Sequence, residues 1–539
     1  MKSIIAAIFL SFMGGVFVFG QEVPQDYLSA DFHKGRREAV RNMMPQNSVA
    51  VFFANPERNR SNDVDYIYHQ DPDFYYLTGY KEPNAVLLIF SEDQRDATGN
   101  TYDEMIFVQP RDPRAEQWNG KRLGVEGAKK QLGFEVAFEG KDFFSVGIDF
   151  KSYDKVLCYE FKNDYRNSDR NNADLFDLVK HFKVKTDYPS DYDPTKQRIY
   201  TTIAATDIEN SASVAQNLGR YLSYYKSLRE DELLNGYANA VDNASRKEFK
   251  DKIQLKVQHS NIETAALEEI MNTLRETKLP EEMALLKKAV EISAVGQIEI
   301  MKAMHPNMSE TEIQGVHEFV YKKYGAEYEG YPSIVGGGNN GCILHYIDNN
   351  KPKVGEDLVL MDLGAEYHGY TADVTRTIPA SGKFTEEQKT IYDLVYEAQE
   401  AGIAASKVGA PFQAPGNAAR NVINKGLIAL GIAKNDNDAR QYFPHGTSHY
   451  LGLDVHDKGT YQLFKENTVI TVEPGIYIPE GSPCDEKWWG IAVRIEDDIL
   501  ITKDGPVNLS SMAPRKSEEI EKLMAQKSAL DDFVLPKLD

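Results

Sequence analysis

Two aspartates in one apolar stretch, LVLMDLGAEYHGYTADVTRT (358–377), are the first residues whose spacing predicts chemistry. The stretch reads as two strands joined by a tight turn near Tyr367 and His368. Asp362 and Asp373 are equidistant from that turn, so we expect them to stand directly opposite one another, with Cβ atoms roughly 5 Å apart. Two carboxylates so placed on an apolar hairpin repel and lose solvation, and either a shared proton or a bound cation must compensate.

Two later parts of the chain supply more groups of the same kind. The segment FPHGTSHYLGLDVHD (443–457) contains three histidines, and the apolar runs TVITVEPGIYI (468–478) and GIAVRIEDDILI (490–501) each contain a glutamate. Glu473 and Glu496 flank a loop, so they should lie nearly opposite one another on a second hairpin. The histidines are His445, His449 and His456.

The donor types favour a particular class of metal. Four carboxylates and one imidazole, with no thiolate, match oxygen-preferring divalent ions such as Mn²⁺. The charge of one ion would not balance four carboxylates. Two ions, bridged by carboxylates and a water, account for the acidic set better. Two-metal sites lower the pKa of a bound water and polarise a carbonyl, which is the equipment for hydrolysing an amide.

Each of these residues also has an ordinary structural explanation. An aspartate beside a glycine is typical of a turn or a cap, and Glu473 before Pro-Gly is typical of a strand end. The acidic run at 496–498 is compatible with an exposed surface. Pro444 and Gly446 argue against a helix there, so the spacing of His445 and His449 is weak evidence by itself. The joint pattern favours the metal site, because five independent explanations must otherwise coincide.

The surrounding pattern predicts an α+β protein of several domains. Residues 21–200 alternate strands and helices, residues 201–275 have helical spacing, and residues 276–512 contain helices, strands, helices and strands in that order. This doubled order indicates two similar halves, each contributing one pair of opposed carboxylates. Residues 513–539 read as a short charged helix or tail.

Composition excludes several other functions. The net charge of −21 argues against nucleic acid or an anionic membrane surface as the main partner. Three cysteines (158, 342 and 484) are too few and too scattered for a disulfide framework or a thiolate metal site. Residues 1–20 read as a cleaved signal peptide, with Lys2 before an apolar run, which predicts export to the periplasm or medium and no membrane association after cleavage.

Five segments together resemble aminopeptidase P, the Xaa-Pro aminopeptidase family of pita-bread metallopeptidases. They are SIVGGGNNGCILHY (333–346), LVLMDLGAEYHGYTADVTRTIP (358–379), HGTSHYLGLDVHD (445–457), TVEPGIYI (471–478) and GIAVRIEDDIL (490–500). The N-terminal part is also similar to that family, through DYIYHQDPDFYYLTGYKEPNAVLLI (65–89) and FVQPRDPRAEQWNG (107–120). The resemblance implies a mixed α/β N-terminal domain, then a pita-bread catalytic domain with pseudo-twofold halves. Residues 201–275 would be an inserted helical segment.

The resemblance also implies roles for individual residues. Two Mn²⁺ ions would be held by Asp362 on one side, His449 and Glu473 on the other, and Asp373 and Glu496 between them. Glu473 would also accept a proton from the bridging water, which attacks the carbonyl before proline. The remaining implied site residues would contact substrate, stabilise the oxyanion, line the proline pocket or support the site: His345, His456, His445 and Arg494.

These roles predict an exopeptidase that releases the N-terminal residue from peptides with proline in second position. Prolidase, which cleaves only Xaa-Pro dipeptides, is an alternative with the same fold and ligands. A metal-free binding protein on the same fold is a second alternative. Family members commonly associate through the N-terminal domain, so the resemblance also implies a homo-oligomer.

Overall fold

The computed structural model describes residues 26–536 apart from 97, 169–170, 190–191, 259 and 534. The predicted signal peptide (1–20) lies outside the described residues. Within the part of the chain that is described, every helix is too short or too polar to cross a membrane.

The N-terminal region, residues 26–276, is a mixed sheet with helices around it. In chain order its elements are α1 (Ala30–Met43), β1 (Ser48–Phe53), β2 (Asn59–Ser61), β3 (Val64–Asp65), α2 (Pro72–Thr78), β4 (Val86–Arg95), β5 (Thr101–Val108), α3 (Pro113–Asn119), α4 (Gly124–Leu132), β6 (Ala137–Glu139), β7 (Lys155–Cys158), α5 (Leu175–Lys185), α6 (Pro194–Ala205), α7 (Ser211–Tyr224), α8 (Lys226–Arg229), α9 (Glu232–Asn239), α10 (Asn243–Gln254), β8 (Ile262–Glu263) and α11 (Ala266–Glu276).

Six of these strands form one sheet in the order β6-β5-β4-β1-β7-β8. The central strand β1 pairs antiparallel with β4 and parallel with β7. Its side chains alternate between two hydrophobic clusters, with Val49 and Val51 on one face and Ala50 and Phe52 on the other. Both faces are therefore buried, which explains why the strand reads as a continuous apolar run.

Helices α6 to α10 have a hydrophobic cluster of their own. Its buried members include Tyr200, Leu218, Leu234, Tyr237 and Ile253. The helical spacing predicted for residues 201–275 is thus present, and these helices pack mainly on one another.

The C-terminal region, residues 277–536, has the doubled element order that the sequence predicts. Its elements are α12 (Pro280–Ala303), α13 (Glu310–Lys323), β9 (Tyr328–Glu329), β10 (Ile334–Gly337), β11 (Leu358–Leu363), β12 (Ala365–Tyr367), β13 (Tyr370–Thr371), β14 (Val374–Pro379), α14 (Glu386–Ala405), α15 (Ala414–Ala429), α16 (Asp436–Ala439), β15 (Val469–Val472), β16 (Gly475–Ile478), β17 (Ile491–Arg494), β18 (Asp497–Thr502), β19 (Gly505–Asn508) and α17 (Ser517–Met524).

Glutamines on the first helix of each half make matching contacts with its strands. Gln297 on α12 donates from Nε2 to the carbonyl oxygens of Met361 and Val374, tying β11 to β14. Gln399 on α14 donates from Nε2 to the carbonyl oxygen of Val472 and to Asp497 Oδ2, tying β15 to β18. The two halves share this arrangement although their sequences show no repeat that we detect.

Candidate metal centre

The first hairpin brings Asp362 and Asp373 together in a different register from the one expected. Asp362 pairs with Thr375, so the prediction that it stands directly opposite Asp373 is wrong. The turn residues are His368 and Gly369, both with positive φ, which moves the centre of the hairpin by one residue. Asp373 lies two residues before Thr375 and therefore on the same face, diagonal to Asp362.

The second hairpin places its two glutamates as predicted. Val472 pairs with Asp497, and Gly475 pairs with Arg494. Counting inward from both pairs puts Glu473 opposite Glu496. Both strands are interrupted at this point, which separates β15 from β16 and β17 from β18.

Thr375 joins the two hairpins at the site. Its hydroxyl donates to Glu496 Oε2 over 2.6 Å, and its carbonyl accepts from the Glu496 amide over 3.1 Å. The carboxylates of the two halves consequently face one another across this junction. Ligand atoms of Asp373, His449 and Glu496 all lie within 4.8 Å of one another.

His449 presents its Nε2 atom to the carboxylates. That atom lies 3.5 Å from Asp373 Oδ2 and 3.7 Å from Glu473 Oε1. The other ring nitrogen, Nδ1, contacts the carbonyl oxygen of Tyr450 at 3.0 Å. A proton on Nδ1 would leave Nε2 free as a metal ligand, which is the usual arrangement for a histidine in a metal site.

Tyr331 is a site residue that the sequence analysis missed. Its hydroxyl lies 2.5 Å from Asp362 Oδ1 and 2.5 Å from Asp373 Oδ1, so it bridges the two carboxylates of the first hairpin. Arg494 donates to the second oxygen of Asp362 over 2.5 Å. Tyr331 is one of 30 tyrosines and lies two residues before the first segment that carries the family resemblance, so no local signal marked it.

Burial and mutual repulsion disfavour ionisation of most of these carboxylates. Burial raises the pKa of Asp373, as does the negative charge of Asp362. Burial raises the pKa of Glu473 to about 7 and, together with Asp373 and Glu473, raises the pKa of Glu496 well above its ordinary value. For Asp362 burial acts in the same direction, but the charge and hydrogen bond of Arg494 and the hydrogen bonds with Tyr331 and Asp373 together outweigh it, so the pKa is lowered.

The donor set fits a pair of divalent cations. Four carboxylates and one imidazole converge, and cations among them would reverse the electrostatic cost of ionising the buried acids. Burial lowers the proton affinity of His449, but the hydrogen bond with Asp373 and the charge of Glu473 outweigh it, and its pKa rises to about 9.

The other predicted site histidines surround this cluster. His445 approaches Glu473 Oε2 with Nδ1 at 3.5 Å, and its Nε2 contacts the hydroxyl of Tyr477 at 2.7 Å. Arg494 donates to the same hydroxyl over 2.9 Å, so Tyr477 links His445 to the arginine that binds Asp362. Burial lowers the pKa of His445 to about 3, with Arg494 as the next contribution.

His456 and His345 are exposed at the site. The His456 ring packs edge-on against the His449 ring with centroids 4.3 Å apart. Burial lowers the pKa of both His445 and His456, followed by Arg494 for the first and His449 for the second, and nearby His345 makes a smaller contribution to each. The structure thus brings together every predicted site residue, with these two histidines positioned to meet a ligand from solvent.

Comparison with known proteins gives two family matches. Residues 284–503 match metallopeptidase family M24, and residues 33–155 match the aminopeptidase P N-terminal domain. The matched ranges contain all of the predicted metal ligands in the first case and most of the N-terminal sheet in the second.

The relatives and solved structures are similar over nearly the whole chain. Xaa-Pro aminopeptidase of Escherichia coli is 34% identical over 91% of this chain and 96% of its own length. Xaa-Pro aminopeptidase of Haemophilus influenzae is 33% identical over 91% and 96%. The structure of E. coli aminopeptidase P with the inhibitor Pro-Leu matches with a TM-score of 0.71 at 32% identity, covering 92% of this chain and 98% of that chain.

The fold, the geometry of the site and the similarity to these relatives over nearly the whole chain lead to the same family assignment. The pita-bread arrangement of two α-β halves, with an N-terminal domain before it, is shared with these proteins. The chain belongs to the aminopeptidase P family of the M24 metallopeptidases.

Proposed function

We propose that this chain is a metal-dependent Xaa-Pro aminopeptidase that releases the N-terminal residue from peptides with proline in second position. The observation that carries the proposal is the convergence of four carboxylates and His449 at the junction of the two halves. Tyr331 and Thr375 hold the carboxylates in place. The two relatives at 33–34% identity, both named Xaa-Pro aminopeptidase, support the substrate class.

Asp362, Asp373, His449, Glu473 and Glu496 would hold two divalent ions. Mn²⁺ is the proposed metal because the donors are hard oxygens with one imidazole and no thiolate. A structure of E. coli aminopeptidase P is described as zinc-substituted, so a related protein accepts another divalent ion. When bound, such ions polarise a carbonyl and lower the pKa of a water.

The chain's own side chains supply proton transfer and charge stabilisation. Glu473 stands between His449 and His445, at the edge of the cluster, and is the proposed proton acceptor for the attacking water. It would return that proton to the proline nitrogen as the bond breaks. His456 and His345, exposed beside the cluster, would donate to the developing oxyanion or contact the substrate.

His445 is proposed to line the proline pocket. Its ring packs edge-on against both Phe443 and Tyr477, with centroids 5.0 and 5.4 Å away. A proline after the scissile bond offers no N–H, so shape and apolar contact must replace that hydrogen bond. Arg494 would support the pocket by holding Tyr477 and Asp362 in place.

Matched peptides test the substrate class. We expect cleavage of an Xaa-Pro-Xaa tripeptide, little cleavage of the same peptide with alanine in place of proline, and loss of activity with a chelator. Cleavage of the Xaa-Pro dipeptide alone would identify a prolidase instead. Full activity after complete removal of metal would contradict the proposal, and it would also argue against a prolidase, because both enzymes require the metal ions.

Three further properties are part of the proposal. The proposed domain division is 21–200, 201–275, 276–512 and 513–539. The two family matches support the first and third ranges, and a hydrophobic cluster spanning residues 199–257 supports a separate helical segment between them. Export to the periplasm or medium follows from the signal-like residues 1–20. Homo-oligomer formation is proposed from the family resemblance.

A further inference from the structure

The loop at 450–458 carries His456 and is closed by backbone hydrogen bonds. The Asp457 amide donates to the carbonyl oxygen of Tyr450 over 2.9 Å, and the Gly452 amide donates to that of Asp454 over 3.2 Å. The Thr371 amide donates to the Gly452 carbonyl over 2.8 Å, which joins the loop to the first hairpin, the one that carries Asp362 and Asp373. His456 itself is exposed. Because little packs around its side chain, its position depends on how the loop backbone is held.

Asp457, directly after His456, is fully buried and doubly paired. Arg275 binds one of its oxygens through Nη2, and Lys278 binds the other through Nζ at 2.9 Å. The side chains of all three residues are only 1% exposed. Removing one partner from such a buried pair leaves an uncompensated charge, so the geometry of the loop is strongly coupled to these two cations.

Arg275 lies in the N-terminal region itself, on α11, and also binds a carboxylate on another helix of that region. Its Nη1 donates to Asp73 Oδ1 on α2 over 2.8 Å, and its Nη2 donates to Asp454 over 3.1 Å. Asp73 is itself buried and accepts a hydrogen bond from Tyr159. A single guanidinium on α11 therefore binds one carboxylate of the N-terminal region and two carboxylates of the His456 loop. A planar fork of donors suits this geometry, and an ammonium does not.

We propose that Arg275 is a positioning residue for the reaction. By binding Asp457 it sets where the His456 ring lies relative to His449, and by binding Asp73 it makes that position depend on the seating of the N-terminal domain. The inference rests on the proposed function, since His456 is there a substrate or oxyanion contact. Arg275 touches no predicted metal ligand and acts only through the loop.

The test replaces Arg275 with lysine, which keeps the charge and removes the fork. We expect kcat for an Xaa-Pro-Xaa tripeptide to fall roughly ten- to a hundredfold, because a displacement of about 1 Å at a catalytic contact has effects of that size. KM should change less than about threefold, and metal content per chain should equal that of the wild type. Asp457→Asn should reproduce the effect, and the double variant should be no worse than the more impaired single variant.

Arg37 provides the matched control. It is also fully buried, binds Glu104 through Nε and Nη2 over 2.7 and 2.8 Å, and donates to a backbone carbonyl. It lies on α1 and makes no hydrogen bond to the C-terminal region. Arg37→Lys should lower the melting temperature without the selective loss of kcat. An equal loss of kcat in both variants would overturn the proposal.

Amide hydrogen exchange gives a second measurement that does not require turnover. In metal-free Arg275→Lys, exchange should accelerate within 450–458 while α12 stays as protected as in the wild type. Unchanged exchange in that loop would also overturn the positioning role. If the wild type fails to cleave Xaa-Pro peptides, the proposed function fails, and the exchange experiment still decides whether Arg275 holds the loop.

Discussion

At the scale of single residues, the proposed roles separate groups that would bind a cation from groups that would meet the substrate. Asp373, His449 and Glu496 present ligand atoms to one another within 4.8 Å, whereas His456 and His345 face solvent. Glu473 belongs to both groups, because its two oxygens lie toward His449 and His445 respectively. Its replacement should consequently have two effects that are separable by measurement.

Glu473→Gln should reduce kcat by at least ~100-fold, because it removes the proton acceptor. It also removes one ligand charge, so the affinity for metal should fall as well. Activity measured at saturating Mn²⁺, with metal content determined in parallel, separates the two effects. Turnover near that of the wild type would refute the assigned role.

His445→Ala should weaken proline selectivity or turnover while leaving the metal content largely unchanged. Its contacts are with Tyr477, Phe443 and one oxygen of Glu473, and not with the group of three ligands. His449→Ala is the matched variant and should lose metal. Loss of metal in His445→Ala instead would show that the two histidines have been assigned the wrong way round.

Residue types were predictable at this scale, and some geometry was not. The carboxylates were identified because two opposed acidic pairs coincide on apolar hairpins, and the individual histidines were assigned through the family resemblance. Tyr331 was missed because a tyrosine that bridges two carboxylates looks the same in sequence as one that packs in the core. Thr375 and Tyr477 were missed for the same reason, since their roles follow from partners that lie 17 to 121 residues away in the chain.

At the scale of elements, two hairpins determine where the carboxylates lie. The register of the second hairpin was predicted correctly, because Glu473 and Glu496 are about equally far from the loop that joins its strands. The first was predicted wrongly because the two residues with positive φ are His368 and Gly369, and a histidine is not an obvious first residue of such a turn. The error is two residues in pairing, which preserves the face and therefore the site.

Gly364→Ala tests the first hairpin. A Cβ at this position would lie 1.8 Å from the carbonyl oxygen of Ala372, a backbone atom that cannot move without opening the hairpin. We expect lower thermal stability and reduced metal binding, because Asp362 and Asp373 would separate. Gly315→Ala on α13 has open space around the added Cβ and ordinary φ, so it should be neutral or slightly stabilising. Equal behaviour of the two variants would contradict this account of the hairpin.

At the scale of the whole molecule, polar contacts join the N-terminal region to the C-terminal region. Arg275 of the N-terminal region binds Asp454 and Asp457, and His69 contacts Glu366 at 2.9 Å. The element order and the two halves were predictable from hydrophobic spacing. This interface was not, because its charged residues are far apart in sequence and resemble solvated surface until the domains are packed together.

A buried histidine in the N-terminal region predicts one component of the pH dependence of stability. Burial lowers the pKa of His33 to about 4, against an ordinary value of 6.5. Below pH 6.5 the unfolded chain therefore binds a proton that the folded chain does not, and stability falls as the pH decreases toward 4. From those two values the loss is on the order of 2 kcal/mol by pH 5.

His33→Gln should remove this component. In metal-free protein, the melting temperature of the variant should fall less than that of the wild type between pH 8 and pH 5. The same comparison with exposed His305 replaced by glutamine should show no such difference. Parallel pH curves for wild type and His33→Gln would contradict the proposed burial of a neutral imidazole.

Cleavage before proline is proposed to depend on divalent ions held by the converging carboxylates and His449. The most direct measurement is titration of chelator-treated, dialysed protein with Mn²⁺, following tripeptide cleavage and bound metal per chain together. We predict no cleavage without metal, and recovery of cleavage as binding approaches two ions per chain. Asp373→Asn, which alters a predicted bridging ligand, should bind less metal and recover little activity. Full cleavage of the tripeptide by metal-free protein, or two ions bound with no cleavage of any Xaa-Pro peptide, would contradict the account.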